Sequence, residues 1–210
     1  MNKESKKTDA ARRRYNRVAP FYDFIEGMIE RPRHSIWRET LWSKVEDKKV
    51  LEVGVGTGKN FPYYPVDKEI VAIDFSERML DLARKKAKAL GIKVYLEQMD
   101  VQDLKFEDNT FDTVVGSFVF CSTPDPIRGL QEVRRVCKPG GKVLLLEHVL
   151  SANRLLAWWM NLVNPVITRL MGGNINRRTV ENVDRSGLKI ERVADLAYGI
   201  FKLIEARKEY

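Results

Sequence analysis

The sequence predicts an α/β fold built on a doubly wound, seven-stranded sheet, and two observations support this class. Short apolar runs alternate with amphipathic stretches of helical spacing along most of the chain. A glycine-rich turn follows the first apolar run, and the second run ends on an acidic residue. Because helices separate the strands, we predict a mainly parallel sheet that binds its ligand at the carboxyl ends of the strands.

The predicted strands are apolar runs bounded by turn residues. They are Val50–Val53, Ile70–Asp74, Val94–Gln98, Thr113–Phe120, Lys142–His148, Lys189–Val193 and Phe201–Ala206. Ser76 is suited to cap a helix that runs to Leu90 and ends at Gly91. A second helix is predicted over 127–137, before a Pro-Gly-Gly turn. The chain therefore has the strand and helix alternation of one domain.

Two segments lie outside this alternation. Residues 1–48 precede the first strand and are predicted to form N-terminal helices that act as an arm or lid. Residues 149–180 follow the fifth strand and are too apolar for an ordinary connection, with Trp158 and Trp159 side by side. We expect both segments to cap the carboxyl edge of a core over 49–148, with residues 181–210 as the final strands.

Positive charge is concentrated near the N-terminus of a chain whose net charge is +8. The basic arm contains Lys3, Lys6, Lys7, Arg12, Arg13, Arg14 and Arg17 against Glu4 and Asp9. Such an arm binds nucleic acid or an anionic membrane surface, or is simply solvated. Apolar and aromatic residues recur at helical spacing over 18–29, which favours a membrane surface. No RNA-binding or zinc-finger spacing is present, so nucleic acid is not predicted.

Composition excludes several other classes. The apolar run 155–160 is far shorter than the roughly 20 residues that span a bilayer. The N-terminus has no apolar signal segment, and Cys121 and Cys137 do not make a disulfide framework. We expect both cysteines to act as small apolar residues. No cluster has metal-ligand spacing, so no metal is predicted. These features indicate a cytoplasmic protein, peripheral to the membrane if it attaches.

The glycine turn indicates the kind of ligand. Gly54, Gly56 and Gly58 have G-x-G-x-G spacing, whereas dinucleotide folds favour G-x-G-x-x-G, and no Lys-Ser or Lys-Thr pair of a P-loop follows. Asp74, at the tip of the second strand, is placed to accept hydrogen bonds from both ribose hydroxyls. A tight turn that binds nothing is the alternative, and the motifs beyond it argue against that alternative.

The string from Glu52 to Gly58 resembles motif I of the class I S-adenosylmethionine (SAM) methyltransferases, a family with a Rossmann-like fold. Three further segments resemble the adenine-binding segment, the fourth strand, and the helix and turn before the fifth strand of this family. They are 99–104, 111–115 and 130–141. The resemblance covers roughly residues 50–150 and is specific in combination.

This resemblance implies SAM as the cofactor, held by ten residues. They are Glu52, Gly54, Gly56, Gly58, Asp74, Phe75, Met79, Asp100, Val101 and Ser117. The glycines would form the floor, Asp74 would bind the ribose, and Asp100 would accept from the adenine amino group. Glu52 would orient the loop or meet the amino end of SAM through water; capping backbone N–H groups is its alternative role.

The flanking segments resemble narrower groups. Residues 15–23 resemble a signature shared by ubiquinone/menaquinone methyltransferases and bacterial phospholipid N-methyltransferases. The glycine motif with Pro62-Tyr63-Tyr64 is similar to phosphatidylethanolamine N-methyltransferases, and 147–149 with 172–177 to membrane-associated thiol methyltransferase-like proteins of animals. The implied acceptor is lipophilic, with the amine of phosphatidylethanolamine first. A quinone-precursor carbon, a small thiol and a non-catalytic SAM- or membrane-binding protein remain alternatives.

Five residues are candidates for the acceptor side. Tyr22 is predicted as an aromatic lid, with Tyr15 second, and packing of the N-terminal helix is the alternative for each. His148 is predicted to orient the acceptor or take its proton. Arg177 and Arg178 are predicted to hold a substrate phosphate, although surface arginines are commonly just solvated. The other histidine, at position 34, is expected to be a surface residue.

Overall fold

The structure, a computed structural model, describes residues 8–19, 32–171 and 173–210. The helices are α1 (8–19), α2 (Pro32–Trp42), α3 (Glu77–Leu90), α4 (Pro126–Val136), α5 (Arg154–Met171) and α6 (Thr179–Arg185). The strands are β1 (Lys49–Val53), β2 (Glu69–Asp74), β3 (Tyr95–Gln98), β4 (Phe111–Ser117), β5 (Cys137–His148), β6 (Lys189–Ala197) and β7 (Phe201–Arg207). A short 3-10 helix spans Phe61–Tyr63.

The seven strands form one sheet in the order β3-β2-β1-β4-β5-β7-β6, which confirms the predicted fold class. The pairs among β1 to β5 are parallel, whereas β7 runs antiparallel to both β5 and β6. Only residues 198–200 join β6 to β7, which is too short for a parallel crossover. The sheet is therefore parallel except at β7.

The order of the strands reverses between β1 and β4. The chain moves outward from β1 through β2 to β3 and then returns to place β4 on the other side of β1. At such a switch point the loops after the two strands diverge and leave a crevice at the carboxyl edge. The glycine turn follows β1 and Ser117 ends β4, so both predicted parts of the site meet there.

Local signals explain where the helices begin and end. The Ser76 hydroxyl accepts from Met79 N and caps α3, which ends at Gly91 with φ of 67°. The Asp125 carboxylate accepts from Arg128 N and caps α4. Strand β4 ends three residues earlier than predicted because Phe118 has a φ of 58° and leaves the extended conformation.

An apolar core lies on each face of the sheet. One contains Leu130, Val133 and Val136 from α4. The other contains Trp37 and Trp42 from α2 together with side chains of α3. Part of the predicted N-terminal lid, helix α2, is therefore a layer of the core, because its tryptophans are buried. Among the described residues, no helix has both the length and the apolarity that crossing a membrane requires.

Candidate active site

A cleft opens at the carboxyl ends of β1, β2 and β4 and encloses about 670 Å³, counting the solvent at its mouth. The residues that line it come from the loops after these strands, from β3's following turn and from α1. They are Tyr15, Gly54, Gly56, Asp74, Phe75, Met79, Met99, Asp100, Val101, Gln102, Ser117, Phe118, Val119, Ser122, Thr123 and Pro124.

Eight of the ten predicted cofactor residues line this cleft. They are Gly54, Gly56, Asp74, Phe75, Met79, Asp100, Val101 and Ser117. The predicted lid residue Tyr15 lines it as well. The two exceptions are Glu52, which lies beneath the floor, and Gly58, which packs against an aromatic ring.

The three glycines are needed for different physical reasons. All have positive φ, at 66°, 56° and 79° for Gly54, Gly56 and Gly58, a conformation that strains residues with a side chain. A Cβ at Gly54 would lie 2.6 Å from Val119, and one at Gly58 would lie 2.2 Å from the Phe61 ring. A Cβ at Gly56 would meet nothing within 4 Å, so Gly56 keeps open space beside the cleft.

Asp74 is a buried acceptor at the edge of the cleft. Its Oδ2 accepts from Gly56 N and its Oδ1 accepts from Ser76 N, both at 2.9 Å. Burial raises the pKa of its carboxyl to about 6, although these backbone donors oppose the rise. Each carboxylate oxygen has a further lone pair, so the group can still accept hydroxyl donors from a ligand. The geometry therefore suits the predicted ribose contact.

Glu52 organises the floor from below. Its carboxyl accepts from Tyr64 Oη and Asn60 Nδ2, and Asn60 also accepts from Arg38 Nη1 at 2.9 Å. Asn60 Nδ2 lies 3.1 Å from Ser117 Oγ, which lines the cleft. Burial raises the pKa of the Glu52 carboxyl to about 7. Its partners are side chains rather than backbone N–H groups, and they support the loop-orienting role over the capping alternative.

Helix α1 is attached along one side of the main cleft, by hydrogen bonds to residues that follow β2 and β3. Ser76 Oγ donates to Asn16 Oδ1 at 2.6 Å, and Gln102 Nε2 lies 3.1 Å from Thr8 Oγ1. Between these two bonds, the Tyr15 ring meets Phe75 edge-on, with centroids 5.4 Å apart. The helix thus closes one wall with an aromatic pair. The other predicted lid residue, Tyr22, lies outside the described residues.

The loop after β4 is held by a buried carboxylate that our sequence analysis gave no role. Glu147, at the end of β5, accepts from Val119 N, Phe120 N and Cys121 N at 2.9, 3.0 and 3.3 Å. Burial raises the pKa of this carboxyl to about 7. The sequence does contain a signal for this role, because Glu147 is an acidic residue near the end of a predicted central strand beside the site.

Arg177 holds the same loop from the other side. Its Nη2 donates to Thr123 O at 2.9 Å and its Nε to Cys121 O at 3.4 Å. Burial lowers the pKa of this guanidinium, although the nearby Cys121, Asp125 and Glu147 oppose the fall. Arg177 therefore positions the cleft wall, and its predicted contact with a substrate phosphate stays a prediction.

A second, smaller cleft adjoins the first and shares Gly54, Gly56, Ser117 and Phe118 with it. Its remaining lining comes from the glycine turn, the following residues and α2. These residues are Arg38, Val55, Thr57, Lys59 and Asn60. The Arg38 guanidinium lies 5.4 Å from the centre of the Phe118 ring. A ligand in the main cleft would thus extend past Gly54 and Phe118 towards a polar, cationic end.

An aromatic cluster lies beside this junction. Phe201 contacts His34, Trp37, Phe118 and His148, with ring centroids 5.0 to 6.2 Å apart. His148 packs edge-on against Phe201 and lines neither cleft. Burial lowers the pKa of His148 to about 4, so its ring is neutral at pH 7. His34 is half-buried against Trp37 rather than a plain surface residue, since α2 packs into the core.

Three further residues or sites were predicted from the sequence: Arg178, the absence of a metal site, and Cys137. The Arg178 side chain is exposed and pairs with Glu181 at 3.2 Å, away from both clefts. Within the described ranges, no group of three His, Cys, Asp or Glu side chains is arranged to hold a metal ion. Cys137 is buried, and desolvation raises its pKa to about 12, as suits a small apolar residue.

Comparison with known proteins connects this geometry to a chemistry. A family profile described as a methyltransferase domain matches residues 51–145. A phosphatidylethanolamine N-methyltransferase of Cereibacter sphaeroides is 42% identical over 143 residues, which cover 67% of this chain and 68% of that protein. A ubiquinone/menaquinone biosynthesis C-methyltransferase of Bdellovibrio bacteriovorus is 34% identical over 154 residues, which cover 70% of this chain and 65% of that protein.

A solved structure extends the likeness to the fold. The geranyl diphosphate C-methyltransferase of Streptomyces coelicolor has a TM-score of 0.68 and 16% identity, covering 83% of this chain and 79% of that chain. At this identity the likeness concerns the fold alone. The present chain spans about two thirds of the length of the two sequence relatives.

Proposed function

The chain belongs to the SAM-dependent methyltransferases, and we propose that it methylates a lipophilic acceptor, first of all the amine of phosphatidylethanolamine and of its partly methylated forms. The choice of this substrate is supported by the 42% identity to a phosphatidylethanolamine N-methyltransferase over 67% of this chain. This identity extends beyond the methyltransferase domain profile, which ends at residue 145 and covers less of the chain.

The residues of the cleft fit SAM, the cofactor of the family. Asp74 offers lone pairs to the ribose hydroxyls, and Tyr15 and Phe75 offer aromatic faces beside the adenine side. Gly56 leaves open space where a Cβ would project, and Arg38 and Lys59 supply positive charge to the adjoining cleft, suited to an amino-acid carboxylate. When bound, SAM supplies a methyl group already activated by its sulfonium.

The protein's own task is to position the acceptor and exclude water. Phe118 lines both clefts at their junction and contacts Phe201, so it presents apolar surface where a lipophilic acceptor would approach. The Phe118 backbone is held in an unfavourable conformation while Glu147 and Arg177 fix the residues after it. This supports a rigid wall against which an acceptor is aligned.

An amine acceptor has to lose a proton before it attacks. His148 is neutral at pH 7 and is therefore able to accept a proton, but a group with a pKa of about 4 is a weak base. Its Nδ1 is buried and has no hydrogen-bond partner among the described residues. His148 is therefore proposed as an orienting group or a weak proton acceptor.

Membrane attachment is the second part of the proposal. The described part of the basic arm is α1, in which Arg13 and Arg17 are exposed while Arg12 pairs with Asp9. Exposed arginines are attracted to an anionic lipid surface at low salt. We propose a cytoplasmic protein, peripheral to the membrane, whose basic arm contributes to attachment.

The direct test supplies methyl-labelled SAM to the full chain with vesicles that contain or lack phosphatidylethanolamine, followed by separation of the lipids. Label in mono-, di- or trimethylated phosphatidylethanolamine is the expected result. Parallel reactions contain a demethylated quinone precursor or a small thiol, since the quinone relative favours a carbon acceptor. Label only in the quinone or only in the thiol would overturn the leading substrate.

Two controls make a negative result informative. SAM affinity, measured by calorimetry on the same preparation, separates a wrong acceptor from an inactive protein. A chain that binds SAM but labels none of the three acceptors would support the alternative of a SAM-binding protein without catalysis. At subsaturating SAM, the Asp74→Ala variant should label the acceptor more slowly than the unmodified chain if the label depends on the cleft described above.

A further inference from the structure

Helix α5 presents its apolar side to solvent. Five large apolar side chains form one continuous stripe, which we call the outward stripe: Leu155, Trp158, Trp159, Leu162 and Val166. Their exposed fractions range from 59% to 81%. Their spacing of three or four residues puts them on one face of the helix. A helix on the surface of a water-soluble protein normally has the opposite arrangement, with its apolar stripe facing the core.

Hydrogen bonds fix α5 in this orientation. Its inner face carries Asn164, whose Oδ1 accepts from Ile175 N at 2.9 Å, and Thr168, whose Oγ1 lies 3.3 Å from Asn174 Oδ1. Met160 on the same face is buried. Rotating the helix to bury the outward stripe would break these polar contacts, so the exposure of the stripe is built into the fold.

The charges of α5 match an anionic surface. The helix contains no acidic residue, and its charged side chains are the exposed Arg154 in its first turn and Arg169 in its last turn. Two adjacent tryptophans between flanking arginines are typical of helices that lie in a lipid interface, where aromatic rings sit at headgroup level. A protein partner with a complementary apolar groove has no such need for terminal arginines.

The inner face of α5 connects to the cleft. Asn174, bonded to α5, donates its backbone N–H to Cys121 O at 2.9 Å, and Arg177 donates to Thr123 O. Thr123 lines the main cleft. A surface that binds the outward stripe is therefore linked, through residues 173–177, to the wall of the methyl-transfer site.

We propose that the outward stripe of α5 docks the protein on an anionic lipid bilayer, with the helix axis in the plane of the interface and both tryptophans inserted at headgroup depth. The choice of a lipid bilayer as the partner of this stripe rests on the proposed function, in which the methyl acceptor is lipophilic. The proposal adds an apolar insertion surface that is separate from the basic arm and that binds lipid without any methyl acceptor.

Tryptophan fluorescence tests this directly, because the four tryptophans divide into two classes. Trp37 and Trp42 are buried at 8% and 1% exposure, whereas Trp158 and Trp159 are exposed at 63% and 59%. Vesicles of phosphatidylcholine and phosphatidylglycerol, without phosphatidylethanolamine, should shift the emission of the full chain to the blue. Brominated phosphatidylcholine in the same vesicles should quench it. Absence of both changes, with protein bound to the vesicles, would overturn insertion of the stripe.

Variants separate insertion from simple attraction. Trp158→Phe with Trp159→Phe should keep vesicle binding but lose the quenching. Trp158→Ala with Trp159→Ala should weaken vesicle binding by about tenfold or more, and most clearly at high salt, where the charges are screened. The matched control is Leu90→Ala, which removes a side chain that is 51% exposed on α3 and should leave binding unchanged. The proposal would be contradicted if Leu90→Ala lost as much vesicle binding as the alanine pair, or if the alanine pair lost none.

A second copy of the chain is the competing occupant. Sedimentation of the full chain without lipid should give a monomer, and a dimer abolished by the alanine pair would overturn the lipid assignment. Failure here is distinguishable from failure of the proposed function. Vesicle binding without methyl transfer would refute only the substrate, whereas transfer to detergent-dispersed phosphatidylethanolamine, with no stripe-dependent binding to vesicles, would refute only the docking surface.

Discussion

Helices α4 and α5 follow neighbouring parallel strands, yet the apolar face of α4 points to the core and that of α5 points to solvent. Helix α4 follows β4, buries Leu130, Val133 and Val136 in the core, and carries Arg134 and Arg135 in its last turn. Helix α5 follows β5, exposes its apolar stripe and turns polar side chains towards the protein. Both are amphipathic. The contrast shows that an amphipathic sequence defines two faces of a helix, whereas the tertiary contacts of the helix determine which face meets water.

The comparison extends to the polar groups at the carboxyl edge of the sheet. Asp74 and Glu147 are buried carboxyls that accept from backbone N–H groups in the loops of the main cleft. The predicted His148 and Arg178 line neither cleft, and Arg177 holds the loop after β4. We therefore expect a change at Asp74 to have a larger effect than a change at His148.

The largest expected effect compares one leucine from each helix. Leu130→Ala empties a fully buried site and should lower the free energy of unfolding by about 2–5 kcal/mol. Leu162→Ala, on a side chain that is 61% exposed, should change it by no more than about 0.5 kcal/mol. Urea unfolding of both variants checks this. Similar losses in the two variants would show that the outward face of α5 is covered within the protein.

The next effect concerns the cofactor cleft. Asp74→Ala removes the buried acceptor and should weaken SAM binding by about 1–3 kcal/mol, measured by calorimetry. Asp81→Ala is the control, because that side chain is 57% exposed and pairs with Arg84 on the surface. Its SAM affinity should match that of the unmodified chain. An unchanged affinity in Asp74→Ala would remove this residue from the site.

The pH dependence of SAM binding should follow the Asp74 carboxyl. Its pKa of about 6 in the free protein means that the carboxylate, the better acceptor for two hydroxyl donors, is lost as pH falls below 6. Affinity should therefore be highest above pH 7 and decrease by up to about tenfold for each pH unit below 6. In Asp74→Asn this dependence should flatten. If the variant kept the full dependence, another group, such as Glu52 or Glu147, would be responsible.

The smallest expected effect is at His148. A direct general base contributes about 10²–10⁴-fold to the rate, but His148 lines neither cleft and its pKa is lowered to about 4 by burial. We expect His148→Gln to lower kcat by less than about tenfold. The measurement is kcat and KM for the labelled acceptor at saturating SAM. A fall of a hundredfold or more, with unchanged SAM affinity, would restore the direct catalytic role.

Local patterns in the sequence predicted the fold class, the seven strands and a cleft at the carboxyl edge of the sheet. These patterns are a period of two or 3.6 residues, a Ser76 cap, and glycines where φ is positive. Eight of the residues predicted for the cofactor lie together because parallel strands bring their carboxyl ends to one edge. Their contacts with the cofactor stay a prediction.

Other features depend on contacts between distant parts of the chain. Gly58 packs on Phe61 rather than lining the cleft, Glu147 collects three backbone N–H groups, and β7 runs antiparallel. These arrangements arise between residues far apart in the chain, so neither periodicity nor spacing encodes them. The orientation of α5 has the same origin. Its apolar residues are visible in the sequence, but the face that meets solvent is fixed by the bonds that Asn164 donates to Asn174 and accepts from Ile175 N.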